Sequence, residues 1–182
     1  MIKTPTLTTM TQYIADIDHY DQIIAQLPKV RRLLWIATAD LKDLYVKKNE
    51  QTVVPLLYIL NDLVKRGVEV RLLHAKEPGP IFREDFDKYP ALWGGMERRL
   101  CPRVHMKIIV MDSNVTYIGS ANLTGAGMGM KSAANRNFEA GIITDEPGFV
   151  DAAMSHFDAI WEGEHCKKCG RREFCKDCIK EK

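Results

Sequence analysis

His105-Met106-Lys107-Ile108-Ile109-Val110-Met111-Asp112 is followed, after Ser113 to Ile118, by Gly119-Ser120-Ala121-Asn122. The stretch reads as a β-hairpin: a strand from Val104 to Met111, a turn at Asp112-Ser113-Asn114, and a return strand from Val115 to Gly119. Side chains alternate along a strand. His105, Lys107, Ile109 and Met111 therefore share one side, and Val104, Met106, Ile108 and Val110 the other. An imidazole and an ammonium on an otherwise apolar strand need a reason. The hairpin brings Gly119 and Ser120 back beside the start of the first strand, and Gly119 lets another group approach the backbone. Asn122 falls at the opening of the next segment. Read as a helix, that segment offers free N–H groups and a dipole to an anion. A lysine, a carboxamide and a helix N-terminus meeting at one point describe a phosphate site.

In such a site a neutral His105 attacks phosphorus while Lys107 and Asn122 stabilise the charged oxygens. A second group must protonate the leaving oxygen, and a histidine from a symmetry mate suits that role near neutral pH. Glu139 is the best candidate for a carboxylate that holds the imidazole in its working tautomer. No metal is needed for these steps.

The H-x-K triplet alone carries little weight. It recurs at His74-Ala75-Lys76 and His165-Cys166-Lys167, neither of which is followed by the rest of the pattern. A bare triplet is better read as a core histidine beside a lysine whose stem packs on apolar surface. The eighteen residues from His105 to Asn122 make a much more specific pattern.

Outward from the hairpin, the chain alternates helix and strand signals. Tyr20, Ile23, Ile24 and Leu27 recur at helical spacing up to Pro28. Arg31 to Ala39 reads as a buried strand. Val53, Val54, Leu57, Leu60, Leu63 and Val64 describe an amphipathic helix, with Pro55 in its first turn and Gly67 as its stop. Val68 to Ala75 is the next strand, so this β-α-β order predicts a parallel pair with a right-handed crossover. Residues 77–95, rich in Pro, Gly and aromatics, read as a loop with one helical turn. Arg98 to Leu100 forms a short strand, Phe138 to Thr144 another, and Phe149, Val150, Ala153, Phe157, Ile160 and Trp161 mark a final helix.

The full pattern H-x-K-x4-D-x6-G-S-x-N resembles the signature of the phospholipase D superfamily. The chain is similar to its small single-motif endonuclease members over about Tyr20 to Trp161. The resemblance implies an α/β fold with a mixed β-sheet flanked by helices on both faces. It implies a phosphodiesterase in which His105 forms a phosphohistidine, Lys107 and Asn122 bind the phosphate, and Ser120 supports it. Asp112 is implied to be structural, near the hairpin turn, and Glu139 to orient a histidine. One motif where double-motif members have two implies a homodimer with two His105 residues facing each other.

Cys166, Cys169, Cys175 and Cys178 form C-x2-C-x5-C-x2-C. Four thiols this close in a chain without a secretory signal suggest a metal site rather than disulfides. Structural Zn2+ with four sulfur ligands is the first expectation and an iron–sulfur cluster the alternative, and His165 could replace one cysteine. Cys101 stands apart and reads as a small apolar residue. The expected division is therefore a catalytic domain over residues 1–162 and a cysteine module over 163–182.

The net charge of the 182 residues is +2, unevenly spread. Residues 163–182 hold seven Lys/Arg against four Asp/Glu, so the remainder is close to neutral. Lys167, Lys168, Arg171, Arg172 and Lys176 interleave with the thiols, and a metal would fix them as a basic patch for a nucleic-acid backbone. Arg83, Trp93, Arg98, Arg99 and Arg103 are candidates for the substrate entrance. Absence of a transmembrane stretch or secretory h-region leads to an expectation of a cytoplasmic protein, and with the resemblance to small single-motif members and the basic tail, of a nuclease acting on DNA or RNA. A phospholipid substrate is the second expectation, weakened by the lack of an amphipathic membrane helix. A non-catalytic nucleic-acid-binding scaffold is the third.

Overall fold

Leu33-Leu34-Trp35-Ile36-Ala37-Thr38 is apolar at nearly every position, as a strand covered on both faces must be. In the computed structural model, which describes residues 9–42, 44–48 and 52–179, this run is strand β2, Leu33–Thr38, near the middle of a seven-stranded sheet. Ahead of it lie β1, Thr11–Ala15, the short helix α1, Asp18–Gln22, and a 3-10 turn, Ile24–Lys29. Pro28 sits inside that turn instead of ending a longer α-helix.

After β2 comes a two-stranded ribbon of β3, Tyr45–Lys47, and β4, Val53–Pro55, then helix α2, Leu56–Lys65. The expected helix thus starts three residues later than its periodicity suggested. Two β-branched residues ahead of a proline prefer extended backbone, and Tyr45–Lys47 supplies their partner. Gly67 adopts a left-handed φ of 81° just past the helix end.

Strand β5, Glu69–His74, pairs parallel with β2. The stretch expected as loop instead holds two short helices, α3, Pro80–Asp87, and α4, Ala91–Gly95. Pro80 and Pro90 stand at helix starts, where a missing N–H is harmless, so the prolines marked helix beginnings rather than loop. Strand β6, Met96–Leu100, follows, parallel to β5. The hairpin is β7, Ile108–Met111, and β8, Val115–Gly119. Strand β9, Ala140–Thr144, and the long helix α5, Pro147–Trp161, complete the domain.

The sheet order is β1-β9-β8-β7-β2-β5-β6, with only the β2-β5-β6 neighbours parallel. Alternation sorts its side chains into two cores. Leu34, Ile36, Ile109, Met111 and Tyr117 pack on the side of α1 and α2. Trp35, Ala37, Ile108 and Val110 pack under Val150, Ala153, Phe157 and Trp161 of α5. The result is a mixed sheet with helices on both faces. Among the described residues, no helix is long and apolar enough to cross a membrane.

Candidate active site

The first strand of the hairpin is shorter than expected, since β7 begins at Ile108 and His105 and Lys107 lie in the extended segment before it. The two side chains still meet. Lys107 Nζ donates to the His105 carbonyl at 2.6 Å and lies 3.4 Å from His105 Nδ1. Lys107 is only 6% exposed, and burial pulls its ammonium below the usual lysine pKa, against the opposing influence of Glu139. His105 itself is exposed.

Asp112 and Ser113 form the turn in left-handed conformation, both at φ 56°. The Asp112 carboxylate accepts from the backbone N–H groups of Arg31, Arg32 and Leu33 at 2.7–3.2 Å. It ties the far end of the hairpin to the entrance of β2 and stays remote from the chemistry.

The segment after Asn122 is a set of turns through Gly125, Gly127 and Gly129, not the helix expected from sequence. Its backbone has other partners. Leu123 N–H donates to Thr38 Oγ1 at 3.0 Å, Leu123 C=O accepts from Lys42 N–H at 3.1 Å, and Leu41 and Leu123 form a parallel bridge. No helix dipole therefore serves the anion. Asn122 Oδ1 accepts from the N–H groups of Ala39 and Asp40, both at 3.2 Å, and lies 3.4 Å from Thr38 Oγ1. Backbone N–H groups can only donate, so the carboxamide orientation is fixed, with its NH2 on the side away from these donors.

Tyr117, absent from the sequence reading, is the support beneath this turn. Its ring lies under the paired Gly119 and Gly141, and its hydroxyl accepts from Ala121 N–H at 3.1 Å. A Cβ at Gly119 would sit 2.3 Å from that hydroxyl, and one at Gly141 2.4 Å from the ring. Gly119 is therefore required by its own neighbour two residues back. Burial pushes the Tyr117 phenol up to about 12, a hydrogen bond to Ala121 notwithstanding. His19, fully buried, meets the Tyr117 ring edge-to-face at 5.4 Å and bonds Asp16 C=O through Nδ1 at 3.1 Å. A buried histidine in Asp18-His19-Tyr20 has no distinctive sequence signal.

Within one copy of the chain, Glu139 bonds to neighbours other than His105. Among the described residues its hydrogen bonds go to the Ser120 hydroxyl and, at 2.9 Å, to Asn137 Nδ2, with none to His105. The physical reason is its anchor. Asp16, at φ 47°, receives the Glu139 N–H on its carboxylate at 3.1 Å and donates its own N–H to the Glu139 carbonyl at 3.0 Å. That clamp sets the carboxylate beside Ser120, on the β8–β9 side of the pocket.

The triplet set aside in the sequence lies at the same end of the sheet. His74 is buried at the end of β5, with Nδ1 donating to Lys76 C=O at 2.8 Å. Lys76 and Lys42 both pair with Asp40, at 3.1 and 3.2 Å. Despite burial, which acts the other way, hydrogen bonds from Lys76 and Lys42 hold the Asp40 carboxyl below its ordinary range.

The entrance candidates divide. Arg83, Trp93 and Arg98 line a groove of about 440 Å3 with Phe82 and Phe86, whereas Arg99 stacks on Trp161 at 4.9 Å and Arg103 faces the tail. The tail packs against the end of β6. Asp177 accepts from Leu100 N–H at 2.7 Å and Cys175 Sγ donates to Leu100 C=O at 3.4 Å. Cys166, Cys169, Cys175 and Cys178 line one cavity of about 260 Å3, and Cys101, expected to stand apart, lines it too. Their sulfurs ring the wall. Among the described residues, no three His, Cys, Asp or Glu side chains are assembled to hold a metal ion.

The end of a mixed sheet thus presents one exposed imidazole, one buried ammonium and one oriented carboxamide, a set suited to a phosphate group. The family model described as "Cardiolipin synthase, PLD-like domain" matches residues 23–161, and the chain belongs to this phospholipase D-like family. A cardiolipin synthase from Clostridium perfringens strain 13 is 25% identical over 115 residues, 57% of this chain and 23% of the relative. The chain therefore spans about a quarter of that relative's length. In fold it is similar to NucT from Helicobacter pylori (TM-score 0.63, 15% identity, 85% of this chain and 97% of that one). It is likewise similar to Nuc, a phospholipase D family member from Salmonella typhimurium (TM-score 0.61, 14% identity, 85% and 95%). The matched region ends at Trp161, immediately before the cysteine-bearing tail.

Proposed function

We propose that this chain is a phosphodiesterase working through a phosphohistidine, with DNA or RNA as substrate. The observation that carries the reading is the fixed orientation of Asn122 at the sheet end that also carries the His105–Lys107 pair. The carboxamide NH2 and the ammonium bind the phosphate oxygens. The His105 ring nitrogen that holds its lone pair attacks phosphorus, a P–N bond forms, and the bond to the leaving oxygen breaks as that oxygen takes a proton. Water then attacks phosphorus, gives its proton to the group that protonated the leaving oxygen, and the P–N bond breaks, so the His105 imidazole and the proton donor are both restored. Donors already set for the transition state supply the largest part of such an acceleration. None of these steps draws on a metal.

The proton for the leaving oxygen comes from His105 of a second copy, so the catalytic unit is a homodimer. The exposure of His105 supports this. So does the apolar row Tyr13–Ile142–Ile118 across three strands, continued by the 92%-exposed Phe138 beside Glu139. In that assembly Ser120 and Glu139 complete the pocket and orient an imidazole. Nucleic acid is favoured by the exposed basic side chains of the tail. The cardiolipin synthase relative favours a second reading, transfer or hydrolysis of a phospholipid headgroup.

The tail thiols supply four soft donors around one cavity, which suits a structural thiophilic ion such as Zn2+ once the two C-x2-C pairs close on it. An iron–sulfur cluster is the alternative for the same thiols. The expected chain is cytoplasmic.

The deciding experiment compares wild type and His105→Ala on single- and double-stranded DNA, RNA, a chromogenic diester and phospholipid vesicles. Acid-labile, base-stable labelling of the wild type and its loss in the variant are expected. Turnover persisting in His105→Ala would sink the mechanism, and turnover of vesicles alone would replace nucleic acid with lipid.

A further inference from the structure

The phosphate site has a basic rim built from residues that no part of the His105–Asn122 pattern contains. Asn122 Oδ1 takes the Asp40 N–H, Lys42 N–H is bound to the Leu123 carbonyl, and Leu41 bridges to Leu123. With the Ala39 N–H also on Asn122 Oδ1, the 39–42 segment is fastened to Asn122 and Leu123 together. Asp40, at one-fifth exposure, holds Lys42 on one carboxylate oxygen and Lys76 on the other. Lys76 is positioned from below by the His74 Nδ1 bond to its carbonyl. Both lysine side chains remain more than 60% exposed, so each keeps N–H donors toward solvent while its stem is held in place. Two ammonium groups against one carboxylate leave a net positive charge beside Asn122, at the sheet end that also carries Lys107.

We propose that Lys42 and Lys76, clamped by Asp40, bind the phosphates flanking the one under attack, which makes the site selective for a polyanionic strand over an isolated diester. A strand carries phosphates at regular intervals, whereas a simple diester has a single phosphate that Lys107 and Asn122 already satisfy. Asp40 gathers both ammonium groups at one edge of the site and offsets part of their mutual repulsion. This rests on the phosphodiesterase reading above and deepens it by naming how a nucleic acid is recognised.

The test uses full-length Lys42→Ala/Lys76→Ala and the charge-preserving Lys42→Arg/Lys76→Arg. Affinity for a single-stranded twelve-mer is measured by anisotropy against salt, in a His105→Ala background so that nothing is cleaved. Turnover of bis(p-nitrophenyl) phosphate is measured in the active background. Loss of two phosphate contacts lowers the slope of log K against log salt by about 1.4, taking ~0.7 per contact for a single strand. The loss of oligonucleotide affinity in the alanine pair should exceed its loss of small-diester turnover by at least tenfold, and the arginine pair should keep both. An unchanged slope, or equal losses on the two substrates, overturns the proposal. So does a wild type that binds no oligonucleotide, or a slope change confined to anionic vesicles. In either case turnover of the small diester leaves the phosphohistidine reading standing, and its absence defeats that reading separately.

Discussion

Asn122 has two jobs on two atoms, and substitutions separate them. Its Oδ1 accepts two backbone N–H bonds from just past the end of β2, while in the proposed mechanism its NH2 holds a phosphate oxygen. Asn122→Ala removes both functions. It leaves the Ala39 and Asp40 N–H groups without a partner, at about 1–2 kcal/mol each, so unfolding free energy falls by about 2–4 kcal/mol. Asn122→Asp keeps an oxygen for those N–H groups but turns an oxygen toward the phosphate in place of a donor. Its stability should therefore lie within about 1 kcal/mol of wild type, helped by the Lys107 ammonium nearby. Loss of one oxyanion donor lowers turnover by about 100- to 1,000-fold, and like-charge repulsion takes the aspartate variant lower still. Urea melts and turnover of a chromogenic diester then rank the two variants in opposite orders: Asn122→Asp is the more stable and the less active. An aspartate variant as unstable as the alanine, or more active than it, would refute the division of labour.

Tyr117→Phe removes the acceptor for Ala121 N–H and should lower stability by about 1–2 kcal/mol in denaturant melts, with a fall in kcat larger than any change in KM. Gly119→Ala and Gly141→Ala drive a methyl into the Tyr117 side chain and should each lower stability by about 1–3 kcal/mol or more. If either melts like wild type, the close packing of that ring is misread. Burial lowers the pKa of His19 and of His74, so the unfolded chain binds more protons than the native one as pH falls past the ordinary histidine value. Stability should be fully present above about pH 6.5 and decline below it, by at most ~1.4 kcal/mol per pH unit per histidine. A flat profile between pH 7 and 5 contradicts this, and His19→Gln or His74→Gln should flatten part of it. Elemental analysis of purified protein should find about one zinc per chain, released by an organomercurial that titrates the tail thiols. No bound metal, or iron with labile sulfide, rejects the zinc assignment.

The apolar run of Leu33 to Thr38 and the hairpin strands were legible because a strand covered on both faces has few ways to be written. The parallel β2–β5 pair followed from the β-α-β order. Local signals failed where a distant partner decided the outcome. Val53-Val54 became strand because Tyr45–Lys47 lay opposite, and the turns after Asn122 stayed turns because their N–H groups and carbonyls bind the end of β2. Strand β1 gave no strong pattern, and its pairing with β9 joins residues 133 apart at Thr11 and Thr144. In the site, spacing placed His105, Lys107 and Asn122 together. It could not show that Asp16 turns Glu139 toward Ser120, that Tyr117 carries the turn, or that Lys76 of the discarded triplet stands at the rim.

The Asp16–Glu139 clamp also governs when the pocket comes into being. Its halves are 123 residues apart, and β1 can join the sheet only after β9 has left the ribosome. Topologies dominated by such distant pairings assemble slowly, because a large loop must close before the contact is gained. A nascent chain thus carries His105 and Lys107 for a considerable part of its synthesis without the carboxylate side of the pocket. Full catalytic competence arrives late, as the last strand docks, and a truncation that removes the first sixteen residues should leave the chain permanently in that unfinished condition.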